Sequence, residues 1–386
     1  MCDRHLPSYY TRAMKRILQN ALLVLGSTIA GLLILEALLW AVYPPVRSNP
    51  LPPGLTFPRP GGFSTLTPGF DGVMDNRAEF TGKRVRVDAR GRRIVPAASQ
   101  TLPTATQVHF LGDSQTFGHG LTDDESWPNQ LQERFLEKTQ AIRVVNWGVP
   151  AANTEHYWRR LPRLLEDTSP GDFLVIGLTW NDFTTAPGPL DLVAPKADSA
   201  KLATGAQQYK ERAFPGLADA KAFLTSLSGK SAVISALLPS FRSIYYRFRD
   251  RHPVADILAS GVTENVFELL AGMRQRAEAA ELRFAVLFLT NGVFLVDKAY
   301  GAFSQNGRFF PSQNVMGDAA KPLCKVHRLH CIDAFEALHV NAGDGMIYPI
   351  DGHYSPQGAE RIADYVMDAL APSLLPEALK NHRATK

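Results

Sequence analysis

The stretch VHFLGDSQTFGHG (108–120) decides the fold class of this chain. An apolar run typical of a buried strand leads into Gly112, Asp113 and Ser114, and a helix-like segment follows. Such a strand-to-helix turn places a serine hydroxyl at a helix N-terminus, where it can serve as a nucleophile. An ordinary N-cap role explains the same Asp-Ser pair equally well.

Three blocks further along the chain favour the catalytic interpretation. RVVNWGVPAANT (143–154) places Gly148 after a strand-like run, and DFLVIGLTWNDF (172–183) places Asn181 after another. YPIDGHYSPQGAERIADYV (348–366) contains Asp351 and His353, a carboxylate and a base. A serine that attacks a carbonyl needs both of these groups, so the sequence predicts a serine hydrolase.

These blocks resemble the SGNH (GDSL-type) hydrolase superfamily, in its membrane-anchored bacterial form. The resemblance implies that Ser114 is the nucleophile, that His353 is the base and that Asp351 orients it. It also implies an oxyanion hole made by the N–H of Ser114, the N–H of Gly148 and the side-chain amide of Asn181. The implied chemistry needs neither a metal nor a cofactor.

The resemblance covers roughly 84–375 and departs from the family pattern in two places. The family commonly has two residues between the last Asp and the His, whereas only Gly352 intervenes here, as in relatives that include the alginate O-acetyltransferase group. Asp344 lies close by and is a second candidate for orienting the base. Thr179 stands where the family usually has a glycine, two places before the asparagine.

Strand-like runs alternate with helical segments throughout the main part of the chain. This alternation predicts an α/β fold, a three-layer flavodoxin-like parallel sheet of about five strands with helices on both faces and the site at the carboxyl ends of the strands. The five expected strands lie near 107–111, 143–147, 173–177, 283–289 and 330–332. The expected hydrolase domain is 105–376, with a helical insertion at about 184–280 and a tail at 377–386.

The segment ALLVLGSTIAGLLILEALLWAVY (21–43) would be about 34 Å long as a helix, against a hydrocarbon core of about 30 Å. It is therefore expected to be a transmembrane anchor. The alternative is a cleavable signal peptide, whose apolar core is normally about 7–15 residues and ends at a small-residue cleavage site. The tail (1–20) is basic, so the positive-inside rule predicts a cytoplasmic N-terminus and a periplasmic or extracytoplasmic catalytic domain on a single-pass inner-membrane protein.

Glu36 is an unusual carboxyl within this apolar run. It is either hydrated or protonated near the outer interface, or it makes a polar contact with a membrane protein partner. The following region (44–104) is expected to be a Pro-rich linker up to residue 62 and a small β addition near 70–95.

The amino-acid composition restricts the domain organisation and the kinds of partner. The 386 residues are 45% hydrophobic, enough for one large α/β domain with attachments. Most of the formal net charge of +4 lies in the tail (1–20), so nothing favours a nucleic-acid partner.

Several side chains outside the catalytic blocks are open to two interpretations. Cys324 and Cys331 are expected to form a disulfide in an oxidising compartment, and the alternative is a metal site with His327 and His330. The segment FRSIYYRFRDRH (241–252) is either an amphipathic helix on the core or a surface that grips a polymer.

Four further histidines lie near the predicted blocks. His119 and His156 either line the pocket or lie at the surface, and His330 and His339 are expected to be structural.

The predicted function is that of a serine esterase which hydrolyses O-acyl esters, chiefly O-acetyl esters, of an extracytoplasmic carbohydrate through an acyl-Ser114 intermediate. Three alternatives remain open at the level of sequence. They are an O-acyltransferase that modifies a glycan through the same intermediate, a lipase or lysophospholipase acting near the bilayer, and a non-catalytic envelope scaffold.

Overall fold

The computed structural model describes residues 8–42, 51–59, 63–77, 79–183, 231, 233, 262–289, 315–339, 345–348 and 351–384. The first helix, α1, spans Ser8–Val42. Its segment Met14–Trp40 has a mean hydropathy of 2.3, is not buried by any described part of the chain, and is long and apolar enough to cross a membrane. This segment contains most of the predicted span (21–43).

Glu36 makes its polar contacts within the chain itself. Its carboxylate accepts hydrogen bonds from the hydroxyl of Ser231 at 2.9 Å and from the N–H of Val233 at 3.1 Å. The apolar helix is thereby joined to a residue pair from the predicted insertion. A membrane protein partner is not needed to explain a carboxylate at this position.

A five-stranded parallel sheet forms the centre of the molecule, as predicted. The strands are β5 (Thr106–Leu111), β6 (Ile142–Asn146), β7 (Phe173–Leu178), β8 (Arg283–Phe288) and β9 (Cys331–Asp333). They lie in the order β6-β5-β7-β8-β9. Every residue of β7 is buried, as expected for a central strand covered on both faces.

Helices cover the two faces of this sheet. Helix α3 (Trp127–Leu136) follows β5, and α4 (Thr154–Leu165) follows β6. The chain moves outward from β5 to β6 and then back past β5 to β7, so right-handed crossovers place α3 and α4 on opposite faces. Helix α5 (Val262–Ala279) packs against α4 and β8, whereas the final helix, Pro356–Ala384, packs against α3.

The reversal of strand order at β5 creates a crevice at the carboxyl ends of the strands. The short helix α2 (Ser114–Phe117) begins at this crevice, directly after β5. Helix α5 is the crossover helix that leads into β8. The last part of the predicted insertion (184–280) is therefore a regular element of the α/β fold. The segment 241–252 lies outside the described residues.

The remaining described helices are short or lie near the last strand. They are α6 (Val315–Val326), α7 (Phe335–His339), the final helix α8 (Pro356–Ala384), and two 3₁₀ helices, Pro96–Gln100 and Trp180–Phe183. The sulfur atoms of Cys324 and Cys331 are bonded to each other, which ties the end of α6 to the start of β9. With both sulfurs in this bond, neither is a thiolate ligand for the alternative metal site.

Two antiparallel hairpins precede the main sheet. Strands β1 (Thr56–Arg59) and β2 (Phe63–Leu66) form the first, and β3 (Asp71–Met74) and β4 (Lys83–Arg86) form the second. Strand β1 lies inside the predicted Pro-rich linker and includes Pro58. A two-stranded hairpin has a free edge on each strand, so a proline without an N–H donor is tolerated there.

Candidate active site

The turn between β5 and α2 assigns different roles to its two polar residues. Asp113 is the N-cap of α2, and its carboxylate accepts a hydrogen bond from the N–H of Gln115 at 2.9 Å. The hydroxyl of Thr179 donates to the same carboxylate at 2.8 Å. Because Asp113 caps the helix, the hydroxyl of Ser114 remains available for chemistry.

Three glycines allow helix α2, which begins at Ser114, to pack closely on the sheet. A Cβ at Gly148 would overlap the backbone nitrogen of Phe117. A Cβ at Gly112 or at Gly177 would overlap the side chain of Thr116. None of the three has a left-handed backbone, so close approach is the reason for glycine at these positions.

A chain of two hydrogen bonds connects the serine to a carboxylate. The Nε2 atom of His353 lies 2.8 Å from the hydroxyl oxygen of Ser114. The Nδ1 atom of the same ring lies 2.5 Å from Oδ1 of Asp351. In this arrangement the imidazole can take a proton from the serine while the carboxylate fixes the ring and stabilises its cationic form.

A tight turn presents the base and the carboxylate together. The N–H of Tyr348 donates to the carbonyl of His353 at 2.9 Å, and the N–H of Gly352 donates to the carbonyl of Tyr348 at 2.8 Å. Gly352 has a φ of +86°, in the left-handed region that favours glycine. This conformation lets an Asp-Gly-His sequence, with one intervening residue, bring both side chains into contact. Asp344 lies outside the described residues.

The second hairpin supplies a residue that the sequence analysis missed. Glu79, which lies between β3 and β4, accepts a hydrogen bond from the backbone N–H of Asp351 at 2.8 Å. This contact holds the turn that carries Asp351 and His353 from outside the main domain. No local pattern around Glu79 predicts it, because the two residues are 272 positions apart in the chain.

The model of the family described as GDSL-like Lipase/Acylhydrolase matches residues 110–361, more than half of the chain. The chain belongs to this family. The predicted SGNH (GDSL-type) membership is therefore confirmed, and with it the general class of ester and acyl hydrolases.

Individual proteins show more limited similarity to this GDSL-family chain. An arylesterase from Vibrio mimicus is 35% identical over 86 residues, which is 22% of this chain and 41% of that protein. The chain thus matches less than half the length of this relative.

Solved structures are more distant still. TesA is 18% identical with a TM-score of 0.38, covering 69% of this chain and 99% of that one. The psychrotrophic esterase EstA from Pseudoalteromonas sp. is 14% identical with a TM-score of 0.38, covering 69% and 97% of the two chains.

A second histidine packs on His353 in this GDSL-family chain. His119 is 6% exposed, its ring centre lies 4.2 Å from that of His353, and its Nε2 lies 3.5 Å from Oδ2 of Asp351. Burial lowers the pKa of His119, and repulsion from His353 lowers it further, against the attraction of Asp351. His119 is therefore neutral at neutral pH and contacts the oxygen of Asp351 that His353 does not use.

The charge of Asp351 is set by these same neighbours. Burial by itself raises the pKa of Asp351, but the charge of His353, its hydrogen bond to the carboxylate and the nearby ring of His119 outweigh burial and hold the pKa well below its ordinary value. Ligand atoms of the three residues lie within 4.8 Å of one another, close enough to hold a cation. Both ring nitrogens of His353 already contact Ser114 and Asp351, which favours the proton-relay arrangement.

A buried arginine supports the loop that carries His119. Arg93 is 2% exposed and donates to the carbonyls of Phe117, Gly118 and Leu121 at 2.5, 2.6 and 2.6 Å. Its Nε donates to Asp123 at 3.3 Å. Burial lowers the pKa of Arg93 to about 10 against the opposing charge of Asp123, so the side chain stays cationic.

The three oxyanion donors implied by the resemblance differ in their surroundings. The N–H of Ser114 has no hydrogen-bond partner among the described residues. The N–H of Gly148 donates to the side-chain oxygen of Asn146 at 2.8 Å, and it would have to exchange this partner for an oxyanion. Asn181 lies in the 3₁₀ helix directly after β7, but its side chain lies outside the described part of the structure.

His156 has a structural position instead of a place in the site. It is the third residue of helix α4, where its ring accepts a hydrogen bond from the N–H of Asn153 at 3.0 Å and completes a capping box. His330 is exposed, and the side chain of His339 lies outside the described residues.

Proposed function

We propose that this chain hydrolyses O-acyl esters through an acyl-Ser114 intermediate. The observation that carries the proposal is the continuous contact from Ser114 to His353 to Asp351, at 2.8 and 2.5 Å. Membership of the GDSL-like lipase/acylhydrolase family supports the same reaction class.

The mechanism follows from the order of these contacts. His353 takes the proton of Ser114 as the serine oxygen attacks the ester carbonyl, and the same ring then returns the proton to the leaving alcohol. Water attacks the acyl-serine in the second half of the cycle, again with His353 as the base. Asp351 remains ionised and stabilises the imidazolium at each step.

The tetrahedral oxyanion is stabilised by donors that point at it before it forms. We assign this role to the N–H of Ser114, the N–H of Gly148 and the amide of Asn181. Removing one such donor typically costs about 10²- to 10³-fold in rate. The close packing of Gly148 on α2 supports its assignment, since it keeps that amide next to the nucleophile.

The substrate we assign is an O-acetyl ester of a carbohydrate outside the cytoplasm. The support is indirect: the apolar part of α1, Met14–Trp40, can anchor the catalytic domain to a membrane, and the basic tail before it favours a cytoplasmic N-terminus. A periplasmic or extracytoplasmic site then faces acylated polymers of the cell envelope.

The decisive test measures hydrolysis of 4-nitrophenyl acetate and butyrate by the full chain in detergent. Ser114→Ala is expected to lose at least about 10³-fold in kcat/KM. Ser99→Ala, at an exposed serine outside the site, is the matched control and is expected to retain activity. Equal activity of the Ser114 variant and the wild type would refute the proposal.

The substrate and topology assignments have separate tests. Release of acetate from an acetylated oligosaccharide in preference to fatty acid from phospholipid vesicles supports the carbohydrate assignment, and the reverse preference contradicts it. Protease added to intact spheroplasts is expected to digest the catalytic domain. Protection of that domain until the membrane is opened would place it on the cytoplasmic side.

A further inference from the structure

A cavity of about 260 Å³ with a strongly basic lining lies beside helix α4, apart from the catalytic side chains. It is open to solvent on one side and bordered by the hairpin of β1 and β2, the turn at Gly91, the residue Trp147 and one face of α4. Five arginines line it: Arg59, Arg90, Arg159, Arg160 and Arg163. Among the described residues no aspartate or glutamate lines this cavity, which we call the arginine pocket.

Arg160 is the most unusual member of the arginine pocket. It is 5% exposed, and its Nη1 atom is fully buried without a hydrogen-bond partner in the part of the chain that the structure describes. Burial lowers the pKa of Arg160 to about 10, so the guanidinium still carries its charge at neutral pH. The charged form of Arg160 is favoured by its interaction with Tyr157. Burial raises the pKa of the Tyr157 phenol well above its ordinary value, so the phenol is neutral and supplies no countercharge.

A buried cation without a counter-ion is unfavourable unless something supplies the missing charge. The acidic residues beside the pocket are already paired with two of its other arginines. Asp167 forms an ion pair with Arg90, and Glu155 forms one with Arg159 at 2.6 Å. Neither carboxylate lines the cavity, so neither compensates Arg160.

We propose that the arginine pocket binds an oxyanion group, a carboxylate or a phosphate, that is carried by a sugar. Guanidinium groups bind these planar or tetrahedral anions through paired N–H donors. The cavity volume suits one small polar group better than an acyl chain, and Leu66 is the only aliphatic side chain among its lining residues. The ring of Phe63 is only partly buried and offers an apolar surface to a sugar ring, whereas Trp147 in the same wall is 3% exposed.

One residue in the wall of the pocket is the sequence neighbour of a proposed site residue. Trp147 in its wall directly precedes Gly148, the assigned oxyanion donor. This wall of the pocket and the assigned oxyanion donor are therefore adjacent in sequence. This inference rests on the proposed function, and it narrows the substrate class from carbohydrate esters to esters of acidic carbohydrates.

Binding is measured separately from hydrolysis so that the two proposals can fail independently. Isothermal titration uses the full Ser114→Ala chain in detergent with glucuronate, glucose 6-phosphate, inorganic phosphate and glucose. Binding of the two acidic sugars, with none of glucose, is expected. Equal binding of glucose, or binding only to phosphatidylglycerol vesicles, would overturn the proposal even if the wild-type esterase is active.

Two arginine variants and one control test the site itself. Arg160→Gln and Arg163→Gln are each expected to weaken binding of glucuronate by about tenfold or more, because a charge-assisted hydrogen bond is lost. Arg163 is exposed, so its variant remains informative if Arg160→Gln does not fold. Arg84→Gln, at an exposed arginine of the second hairpin, is expected to bind normally. Unchanged affinity in both pocket variants would refute the assignment.

Thermal unfolding distinguishes a ligand-binding role from a structural one. Added glucuronate is expected to raise the melting temperature of the wild type, whereas Arg160→Met shows no such rise. Without ligand, Arg160→Met is expected to melt at or above the wild-type temperature, because it removes an unpaired buried charge. A large loss of stability in this variant, with the ligand-induced rise retained, would show that Arg160 serves packing alone.

Discussion

Arg93→Met tests whether the buried guanidinium holds the loop beside the nucleophile. The substitution keeps much of the side-chain volume but removes donors to the carbonyls of Phe117, Gly118 and Leu121, and to Asp123. Breaking one partner of a buried ion pair typically costs about 3–5 kcal/mol, because the other charge stays buried without it. For a domain of this size the loss corresponds to a fall of roughly 10 °C in melting temperature.

The measurement is thermal unfolding followed by circular dichroism, with esterase activity recorded at a temperature where both proteins are folded. Arg84→Met removes an arginine of an exposed pair with Asp71 and serves as the control, with an expected change within about 2 °C. Activity of the Arg93 variant is expected to fall as well, since His119 lies on the released loop. A melting temperature equal to that of the control would refute this account of Arg93.

Three further predictions concern the site. Asp351→Asn should reduce kcat by about 10²- to 10⁴-fold while Asp344→Asn changes it little, and the opposite ranking in esterase assays would reassign the orienting role. Gly148→Ala should lose both activity and stability, since its Cβ would overlap the backbone of α2. A variant with the melting temperature and turnover of the wild type would contradict the packing described. The pKa of His119 is lowered in the folded protein, so the unfolded chain binds more protons below about pH 6.5 and the free energy of unfolding falls as the pH drops. His119→Phe should flatten this pH dependence when the free energy of unfolding is measured by denaturant titration. An unchanged pH dependence in the variant would argue against this role of His119.

Much of the central sheet could be predicted because its strands are continuous apolar runs. The 173–178 strand is apolar at every position and buried at every position, so pattern and structure agree directly. The same pattern does not show which strands are neighbours. Placement of the serine at a strand end, together with the strand order, is what identifies the crevice.

Short motifs surround the proposed catalytic residues and make them visible in the sequence, whereas the residues that support them have no such motif. Ser114 lies in a strand-turn-helix motif, and His353 lies just before a helix with a clear apolar face. Glu79 and Arg93 act through contacts with distant segments, and no local sequence pattern encodes such a contact. The hydrogen bond from the N–H of Gly148 to the side chain of Asn146 could not be predicted from a motif either, since it depends on a side-chain rotamer.

The separation of the proposed nucleophile and base along the chain also bears on biosynthesis. Ser114 and His353 are 239 residues apart and meet only when the turn before the last helix has been made. At about 5–20 residues per second, a ribosome needs about 10–50 s to pass from the first to the second. A nascent chain therefore emerges with its apolar helix and its serine first, and it cannot attack an ester until nearly all of the catalytic domain has been synthesised.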